Sequence, residues 1–226
     1  MMEEILQFLK DLAANNERPW FQANKSRYES TRATFLAYVQ ELIGRMAAFD
    51  PEISGVEAAD CAFRIYRDIR FSPNKMPYKT HYGAFIAAGG GHRSPRGGYY
   101  LHIQPGSCML SGGVWGPDPR LLKMLRRDIY ERCDEFLAIL EKPSFKAAYP
   151  DGLGEEDMLK RLPAGFPPDF AHDDWLRHKY YCVSTFKPDS FFLKKGWMDK
   201  VVDIFKEQVP FNRFLNETVD EYLGRE

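Results

Sequence analysis

The sequence predicts an α+β protein in which helices flank a mostly antiparallel sheet. Apolar residues recur at helical spacing up to residue 50 and again after residue 118. Between residues 61 and 114, β-branched and aromatic residues cluster, and Gly, Pro and Asn divide them at intervals typical of an antiparallel meander. No internal repeat or clean linker interrupts the chain, so we expect a single domain over residues 1–226.

Two helices are predicted before residue 50. Helical spacing of apolar residues places the first at about residues 1–15. Because Glu3 and Glu4 stand where a signal peptide carries cations, we interpret this segment as a folded helix and not as a targeting segment. Pro19 suits the first position of a second helix, which the apolar pattern extends to about Phe49.

Four strands of the meander are expected at about 61–70, 80–88, 98–104 and 108–114, and a further strand at 180–186 is expected to rejoin the sheet. The hairpin loop GGGHRSPRGG between the second and third strands is glycine-rich and basic, but it lacks the G-x-x-x-x-G-K-[ST] pattern of a P-loop. We therefore interpret this loop as a mobile flap and not as a phosphate cradle.

The rest of the chain is predicted to be mostly helical. Asp118 and Pro119 suit the N-cap and first position of a long amphipathic helix. The segment 143–172 is rich in Pro, Gly and acidic residues, so we expect it to be irregular with short helices. Helices at about 195–208 and 211–223 are predicted to complete the chain.

The charge balance argues against several classes of partner. The 226 residues contain 31 Lys and Arg against 32 Asp and Glu, a formal net charge of −1. The protein as a whole therefore has no field that would attract nucleic acid or an anionic membrane, and any preference for anions must be local. The apolar runs fall short of the ~20 residues that a membrane-spanning helix needs, so we expect no membrane insertion.

The cysteine pattern predicts reduced thiols in a cytoplasmic protein. Cys61, Cys108, Cys133 and Cys182 occur singly, without a C-x-x-C pair or a nearby histidine partner. This spacing predicts neither a zinc site nor a disulfide framework. Motifs for dinucleotide binding, H-E-x-x-H metalloproteases and G-x-S-x-G hydrolases are missing from the sequence. We therefore predict no metal and no cofactor.

Positive charge is concentrated in RIYRDIRFSPNKMPYK, residues 64–79, which has five cationic side chains and one carboxylate. Read as a strand, its first half alternates between two faces. The polar face would carry Arg64, Tyr66, Asp68 and Arg70. Arg67 falls on the apolar face, which predicts either a bulge or a buried guanidinium that needs a carboxylate or a ligand as its partner.

The polar face extends across the predicted sheet and its loops. One parity of the strand 98–104 carries Tyr100, His102 and Gln104, and Ser111 is a small residue on the next strand. If these alternate side chains of neighbouring strands lie on the same face of the sheet, that face forms a pocket whose floor carries cations, phenols and a histidine. The resulting candidate site has anion contacts at Arg64, Arg67, Arg70, Lys75 and Lys79, walls at Tyr66, Tyr78, His81 and Tyr100, and proton-transfer groups at His102 and Asp68.

Three interpretations of this pattern stay open. The leading one is a pocket for a small anionic ligand, phosphorylated or carboxylated, in a protein that either is an enzyme or only binds the ligand. A second is an interaction module that grips a nucleic-acid strand or an acidic protein segment, which the balanced charge disfavours. In the third, the arginines form a structural ion-pair network with acids such as Asp60 or Glu57. His92, His172 and His178 have no partner at ligand spacing, and we predict no role for them.

Three segments carry a family resemblance: NNERPWFQANKSRY, FRIYRDIRFSPNKMPYKTHYGAFI and GGYYLHIQPGSCMLSGGVWGP. They resemble the bacterial family called domain of unknown function 2461, which shares an R-x-x-R-D-x-R-F signature followed by a lysine and a tyrosine. The resemblance implies a single cytosolic domain and brings no established activity, substrate or cofactor. It departs at Ser111, where relatives are expected to carry glycine, so the space above that strand should be narrower here. The signature maps onto Arg64, Arg67, Asp68, Arg70, Phe71, Asn74, Lys75 and Tyr78.

Overall fold

The computed structural model describes residues 1–70 and 72–225, which form a four-stranded antiparallel sheet with helices packed against one face. The α+β class is thus confirmed. The strands are β1 (Tyr82–Ile86), β2 (Gly98–Ile103), β3 (Cys108–Val114) and β4 (Tyr181–Lys187), in the spatial order β1-β2-β3-β4. The helices are α1 (Met2–Ala14), α2 (Arg18–Ala23), α3 (Lys25–Met46), α4 (Ala58–Cys61), α5 (Pro119–Glu131), α6 (Cys133–Glu141), α7 (Pro143–Ala148), α8 (Asp173–Arg177), α9 (Asp189–Leu193) and α10 (Trp197–Leu223).

The strand predicted at 61–70 is wrong. The short helix α4 ends at Cys61, and the extended chain after it makes only two isolated bridges, Ala62 with Ala84 and Tyr66 with Tyr78. Residues 62–67 run antiparallel to residues 77–84, with backbone hydrogen bonds from Phe63 to Gly83 at 2.9 Å and from Arg67 to Pro77 at 2.9 Å. Prolines at 73 and 77 lack the N–H that a continuous ladder requires, so no strand forms there. Phe71, part of the family signature, lies outside the described residues.

Three helix predictions also differ from the structure. The long helix expected after Asp118 is divided at Arg132 into α5 and α6. The helix expected to run from Pro19 to Phe49 is divided at Asn24 into α2 and α3. The two helices predicted at 195–208 and 211–223 are one, because α10 continues through Pro210. Phe205, Phe211 and Leu215 are buried on both sides of this proline. Burial of that face offsets the local cost of a missing hydrogen bond. No helix in the described part of the chain is long and apolar enough to span a membrane.

Helices cover only one face of the sheet. Tyr99, Leu101 and Ile103 of β2 are buried in a core that α1, α3 and α10 also line. Tyr100 and His102 point to the opposite face, so the alternation predicted for this strand is confirmed. The uncovered face of the sheet is where the candidate site lies.

The loop between β1 and β2 is packed in place and does not have the geometry of a free flap, so that interpretation needs correction. The Ser94 hydroxyl donates a hydrogen bond to the carbonyl of Ala88 at 2.6 Å. Arg96 is mostly buried, and its guanidinium pairs with Glu52 at 2.6 Å and with Asp220 at 3.3 Å. These contacts tie the loop to α10 and to the turn after α3. They were not predictable from the glycine content of the loop, since both acids are distant in sequence.

Candidate functional site

The uncovered face of the sheet forms the floor of a cavity of about 960 Å³. This volume is large enough for a small molecule of substantial size. The walls come from residues 92–96 of the loop between β1 and β2 and from residues 151–156 after α7. All four strands contribute to the floor, which includes Phe85, Tyr100, Met109, Ser111, Ser184 and Phe186.

A chain of hydrogen bonds runs along the polar side of β2. The hydroxyl of Tyr100 lies 2.8 Å from Nδ1 of His102, and Nε2 of His102 lies 3.1 Å from Oε1 of Gln104. Burial lowers the pKa of His102, so its ring is neutral at pH 7 and only one of its nitrogens carries hydrogen. Because Gln104 Oε1 can only accept, Nε2 donates to it and Nδ1 accepts from Tyr100. Burial also raises the pKa of Tyr100 to about 12, which keeps its phenol protonated.

Lys79 and His81 lie beside this chain, and we call Lys79, His81 and His102 the lysine–histidine cluster. The rings of His81 and His102 are 4.2 Å apart between centroids. Burial, followed by the nearby His102 and Lys79, lowers the pKa of His81 to about 3. Burial, followed by the guanidinium of Arg64, lowers the pKa of Lys79 as well. Burial and nearby positive charge thus disfavour the protonated forms of these groups. A bound anion would favour those forms and offset the effect.

The Lys79 ammonium has no acidic partner among the described residues. Its Nζ lies 5.1 Å from the centroid of the Phe63 ring, and no hydrogen bond or ion pair connects it to the described chain. A partly buried cation over an aromatic ring is stabilised only modestly by that ring. An anion bound in the cavity would provide the missing partner.

The opposite end of the cavity is aromatic and acidic. Trp115 is 69% exposed, and its ring lies 4.2 Å from that of Tyr180 between centroids. Asp151, Glu155 and Glu156 line the adjoining wall. Arg96 also lines the cavity, but its guanidinium pairs with Glu52 and Asp220. The cavity is therefore polarised, with the Lys79 ammonium at one end and the three carboxylates at the other.

Metal or thiol chemistry has little support in this cavity. The described residues contain no group of three or more His, Cys, Asp or Glu side chains that could hold a metal ion. Cys182 lines the floor, but burial raises the pKa of its thiol to about 12. At neutral pH it is a protonated thiol and a poor nucleophile.

Four predicted site residues are brought together by the structure. Lys79, His81 and Tyr100 line the cavity, and His102 contacts both His81 and Tyr100. Ser111 lies next to them on β3, where its hydroxyl donates to the carbonyl of Val183 at 2.8 Å. These residues share one sheet face because strands alternate their side chains with a period of two.

The signature segment, residues 64–76, contributes none of its described residues (64–70 and 72–76) to the cavity lining. Asp68 accepts two hydrogen bonds from Arg70 at 2.7 and 3.0 Å in an exposed pair. Lys75 is exposed and donates to the carbonyl of Ile69 at 3.1 Å. The residues that the prediction placed in the site and the structure places outside the cavity lining are Arg64, Arg67, Arg70, Lys75, Asp68, Tyr66, Tyr78 and His102. His102 lies directly next to the lining, because it contacts His81 and Tyr100.

Arg67 contacts neutral groups and not the carboxylate that its position predicted as one possible partner. Its guanidinium donates to the carbonyl of Met76 and to the hydroxyl of Ser72, both at 3.4 Å. Across the described residues, no carboxylate lies within 4.0 Å of it. Because the carbonyl and hydroxyl are neutral and the distances long, these bonds are weak.

Tyr66 and Tyr78 belong to an aromatic cluster outside the cavity. Tyr78 is buried and stacks on Phe21, with 4.0 Å between ring centroids. Tyr66, which is 48% exposed, meets the edge of the same Phe21 ring. This packing connects the signature segment to α2 and gives Tyr78 a structural role. Trp20 is partly buried and packs nearby against the same core.

Several cavity residues were not predicted. His92 lines the cavity, and its Nδ1 hydrogen-bonds to the backbone carbonyl of Asp60. Ser184 and Phe186 share one parity of the predicted last strand, and Trp115 directly follows β3, so these positions could have been found by extending the strand alternation. No sequence pattern points to the wall at 151–156, because it comes from an irregular segment.

Among the comparisons with known proteins, one family profile matches most of the chain. Searches of curated proteins and of solved structures found no significant match. A family profile described as conserved hypothetical protein (DUF2461) matches residues 4–214. This match includes the signature segment, the lysine–histidine cluster and all four strands. The chain therefore belongs to the family of conserved hypothetical proteins termed domain of unknown function 2461.

Proposed function

We propose that the cavity on the uncovered sheet face binds a small phosphorylated or carboxylated ligand, with Lys79 as its main charged contact. The observation that carries this proposal is the partly buried Lys79 ammonium, which faces the cavity without an acidic partner in the described chain. Burying a cation costs free energy unless it is paired. An anionic ligand recovers that cost on binding and gains a charge-assisted hydrogen bond.

The rest of the lysine–histidine cluster supports the same ligand. His81 makes no hydrogen bond within the described chain, so its neutral ring has one N–H to offer an anion. His102 and Tyr100 hold each other in place through their hydrogen bond at 2.8 Å. Phe63 and Phe85 provide apolar surface against which the rest of a ligand can pack.

Proton transfer is a second candidate function of the same cavity. Tyr100 donates its hydrogen to Nδ1 of His102, so its oxygen lone pairs are available to a ligand. If the oxygen takes a proton from the ligand, the phenol hydrogen passes to Nδ1, leaving a tyrosine, an imidazolium and a deprotonated ligand. Asp68 has no part in this scheme because it pairs with Arg70 in the signature segment.

The nucleic-acid alternative has weaker support. Asp151, Glu155 and Glu156 line the cavity and would repel a chain of phosphates. The cations of the signature segment lie outside the cavity, so no continuous track of cations crosses its aromatic mouth.

A binding experiment with simple anions tests the main proposal. We would titrate sulfate and pyrophosphate into the wild type and the Lys79→Met variant by calorimetry, with Lys75→Met as the matched control. A charge-assisted hydrogen bond contributes about 1.5–3 kcal/mol, so we expect the Kd of Lys79→Met to rise about tenfold or more. Lys75 is exposed and outside the cavity, so its removal should change the Kd less than about twofold.

Two outcomes would contradict the proposal. If neither anion binds the wild type, the unpaired lysine does not mark an anion site. If both anions bind equally well to Lys79→Met, the cation that holds them is elsewhere.

A further inference from the structure

We infer that the ligand is elongated, with a single anionic group at Lys79 and a flat ring stacked on Trp115 and Tyr180. This inference rests on the proposed anion site and assigns the other end of the same cavity. Three features of the structure carry it: the positions of the two ends, the exposed aromatic pair and the acidic wall.

The strand topology places the two groups at opposite ends of the sheet. Lys79 and His81 directly precede β1, and the first residue of β1, Tyr82, pairs with Ile103 at the end of β2. A short turn connects that end to the start of β3, and Trp115 directly follows the end of β3. The seven residues of β3 span roughly 20 Å. A ligand that touches both ends must therefore be longer than one ring joined directly to one phosphate.

The aromatic pair has the properties of a stacking platform. Trp115 is the most exposed of the large apolar side chains that line the cavity, and Tyr180 lies against it from the segment before β4. An indole face that is open to solvent at a cavity mouth gains apolar contact when a flat ring covers it. Cysteine and serine side chains on the adjacent floor leave room for that ring.

The acidic wall determines what the ring end carries. Asp151, Glu155 and Glu156 form the wall beside the cavity and none of them has a cation within 4.0 Å in the described chain. A second anionic group at this end would be repelled. A neutral heteroaromatic ring with N–H donors would instead be attracted by hydrogen bonding to the carboxylates. The predicted ligand class is therefore a heteroaromatic ring, a neutral spacer and one phosphate or carboxylate.

Four probes separate the contributions of ring, spacer and anion. Flavin mononucleotide has a ring, a long neutral spacer and one phosphate; adenosine monophosphate has a shorter spacer. Riboflavin lacks the phosphate, and inorganic phosphate lacks the ring. We would measure the Kd of each by calorimetry for the wild type, Trp115→Ala and Lys79→Met. Leu193→Ala is the control, because it removes an exposed apolar side chain outside the cavity.

The expected result is a tighter complex for the probe that reaches both ends. Flavin mononucleotide should bind the wild type at least tenfold more tightly than phosphate does, with adenosine monophosphate in between. Trp115→Ala should remove most of this gain and leave the Kd of phosphate unchanged. Lys79→Met should weaken both phosphate and flavin mononucleotide, while Leu193→Ala should change neither.

The two proposals fail in different ways. If phosphate binds in a Lys79-dependent manner but the ringed probes bind no more tightly, the elongated ligand is overturned and the anion site stands. The same holds if the ringed probes bind more tightly and Trp115→Ala leaves that gain intact. If no phosphorylated probe binds the wild type, the anion site itself is overturned, and with it this inference.

Discussion

The signature segment and the lysine–histidine cluster are both rich in cationic or titratable nitrogen groups, yet their surroundings differ. In the signature segment, Arg70 pairs with Asp68, and Arg67 and Lys75 donate to nearby backbone carbonyls, all at the protein surface. In the cluster, Lys79 is partly buried beside two neutral histidines and has no acidic partner in the described chain. The most cationic segment of the sequence is therefore not the region in which a cation is partly buried without an acidic partner.

The difference follows from solvation. Exposed cations are hydrated, so the carbonyl contacts of the signature segment add little and nothing further is required. A buried cation loses that hydration, and the protein must either pair it or bear the cost. For Lys79, the cost of burying the ammonium without an acidic partner is reflected in its lowered pKa. The contrast predicts that substitutions in the two regions will have different effects, and the largest effect is expected at the cavity floor.

The largest effect on stability should come from Gly83→Ala. Gly83 pairs with His102 on β2, and a Cβ at this position would lie 2.6 Å from the hydroxyl oxygen of Tyr100. The Tyr100 ring would have to move, which would break its hydrogen bond to His102. We expect the free energy of unfolding, measured with urea, to fall by about 1–3 kcal/mol, and sulfate affinity to fall with it.

Met76→Ala provides the comparison in the signature segment. This side chain is 39% exposed, so its truncation should change the free energy of unfolding by less than about 0.5 kcal/mol. Equal stabilities for Gly83→Ala and the wild type would mean that the Tyr100 ring can move without cost, and that the cavity floor is not held rigid.

Lys79→Met should stabilise the protein without ligand. Because burial lowers the pKa of Lys79, the folded state disfavours its charge at pH 7, and an apolar side chain of similar shape removes that penalty. We expect the Tm, measured by calorimetry, to rise by about 2–4 °C. Lys75→Met should leave the Tm unchanged, since Lys75 is exposed. A lower Tm for Lys79→Met would show that Lys79 supports the fold and would weaken its assignment as a ligand contact.

Much of the fold could be predicted because it depends on local patterns. Strand alternation predicts which face of β2 carries Tyr100 and His102, and the Asp118–Pro119 pair predicts the start of α5, where Asp118 caps the helix. Non-local packing decides the rest. The segment 61–70 alternates like a strand, but its pairing with residues 77–84 is interrupted and yields only isolated bridges. Helix α10 continues through Pro210 because both halves pack on the same core.

The candidate site could be predicted only in part, for a related reason. Strand parity and sequence proximity correctly associate Lys79 and His81 with Tyr100 and His102. Neither reveals that the segment before Lys79 bends away from the sheet and takes the three signature arginines out of the cavity lining. The acidic wall could not be predicted from the sequence, because it comes from an irregular segment between α7 and α8. The partial burial of Lys79 without an acidic partner in the described chain is likewise a property of the folded chain.

A smaller effect is expected on the pH dependence of sulfate binding. The pKa of His81 is about 3 in the free protein, and a bound anion favours the imidazolium and raises that pKa. Binding then takes up a proton, so affinity should increase as the pH falls from 7.5 to 5, a range that lies above the free-protein value. Calorimetry should show a decrease in Kd of about twofold, mostly near pH 5, because a rise of about two units on binding would bring this pKa only to about 5. Sulfate itself stays divalent throughout.

Two variants assign this pH dependence to the cavity. His81→Asn should flatten it, whereas His172→Asn should not, because His172 stacks on Trp175 and is not part of the cavity lining. His102 also has a lowered pKa and would account for any slope that remains. If the double variant His81→Asn/His102→Asn keeps the full pH dependence of sulfate affinity, the lysine–histidine cluster is not where the anion binds.

The smallest effect is expected from Arg67→Gln. The guanidinium of Arg67 contacts the Met76 carbonyl and the Ser72 hydroxyl only at 3.4 Å, and no carboxylate of the described chain lies within 4.0 Å. Its removal should therefore change the Tm by less than about 1 °C and the Kd of sulfate by less than about twofold. A large loss of stability would indicate an ionic network around Arg67. A tenfold loss of sulfate affinity would show that the signature segment also binds the anion, and the proposed contrast between the two regions would then be wrong.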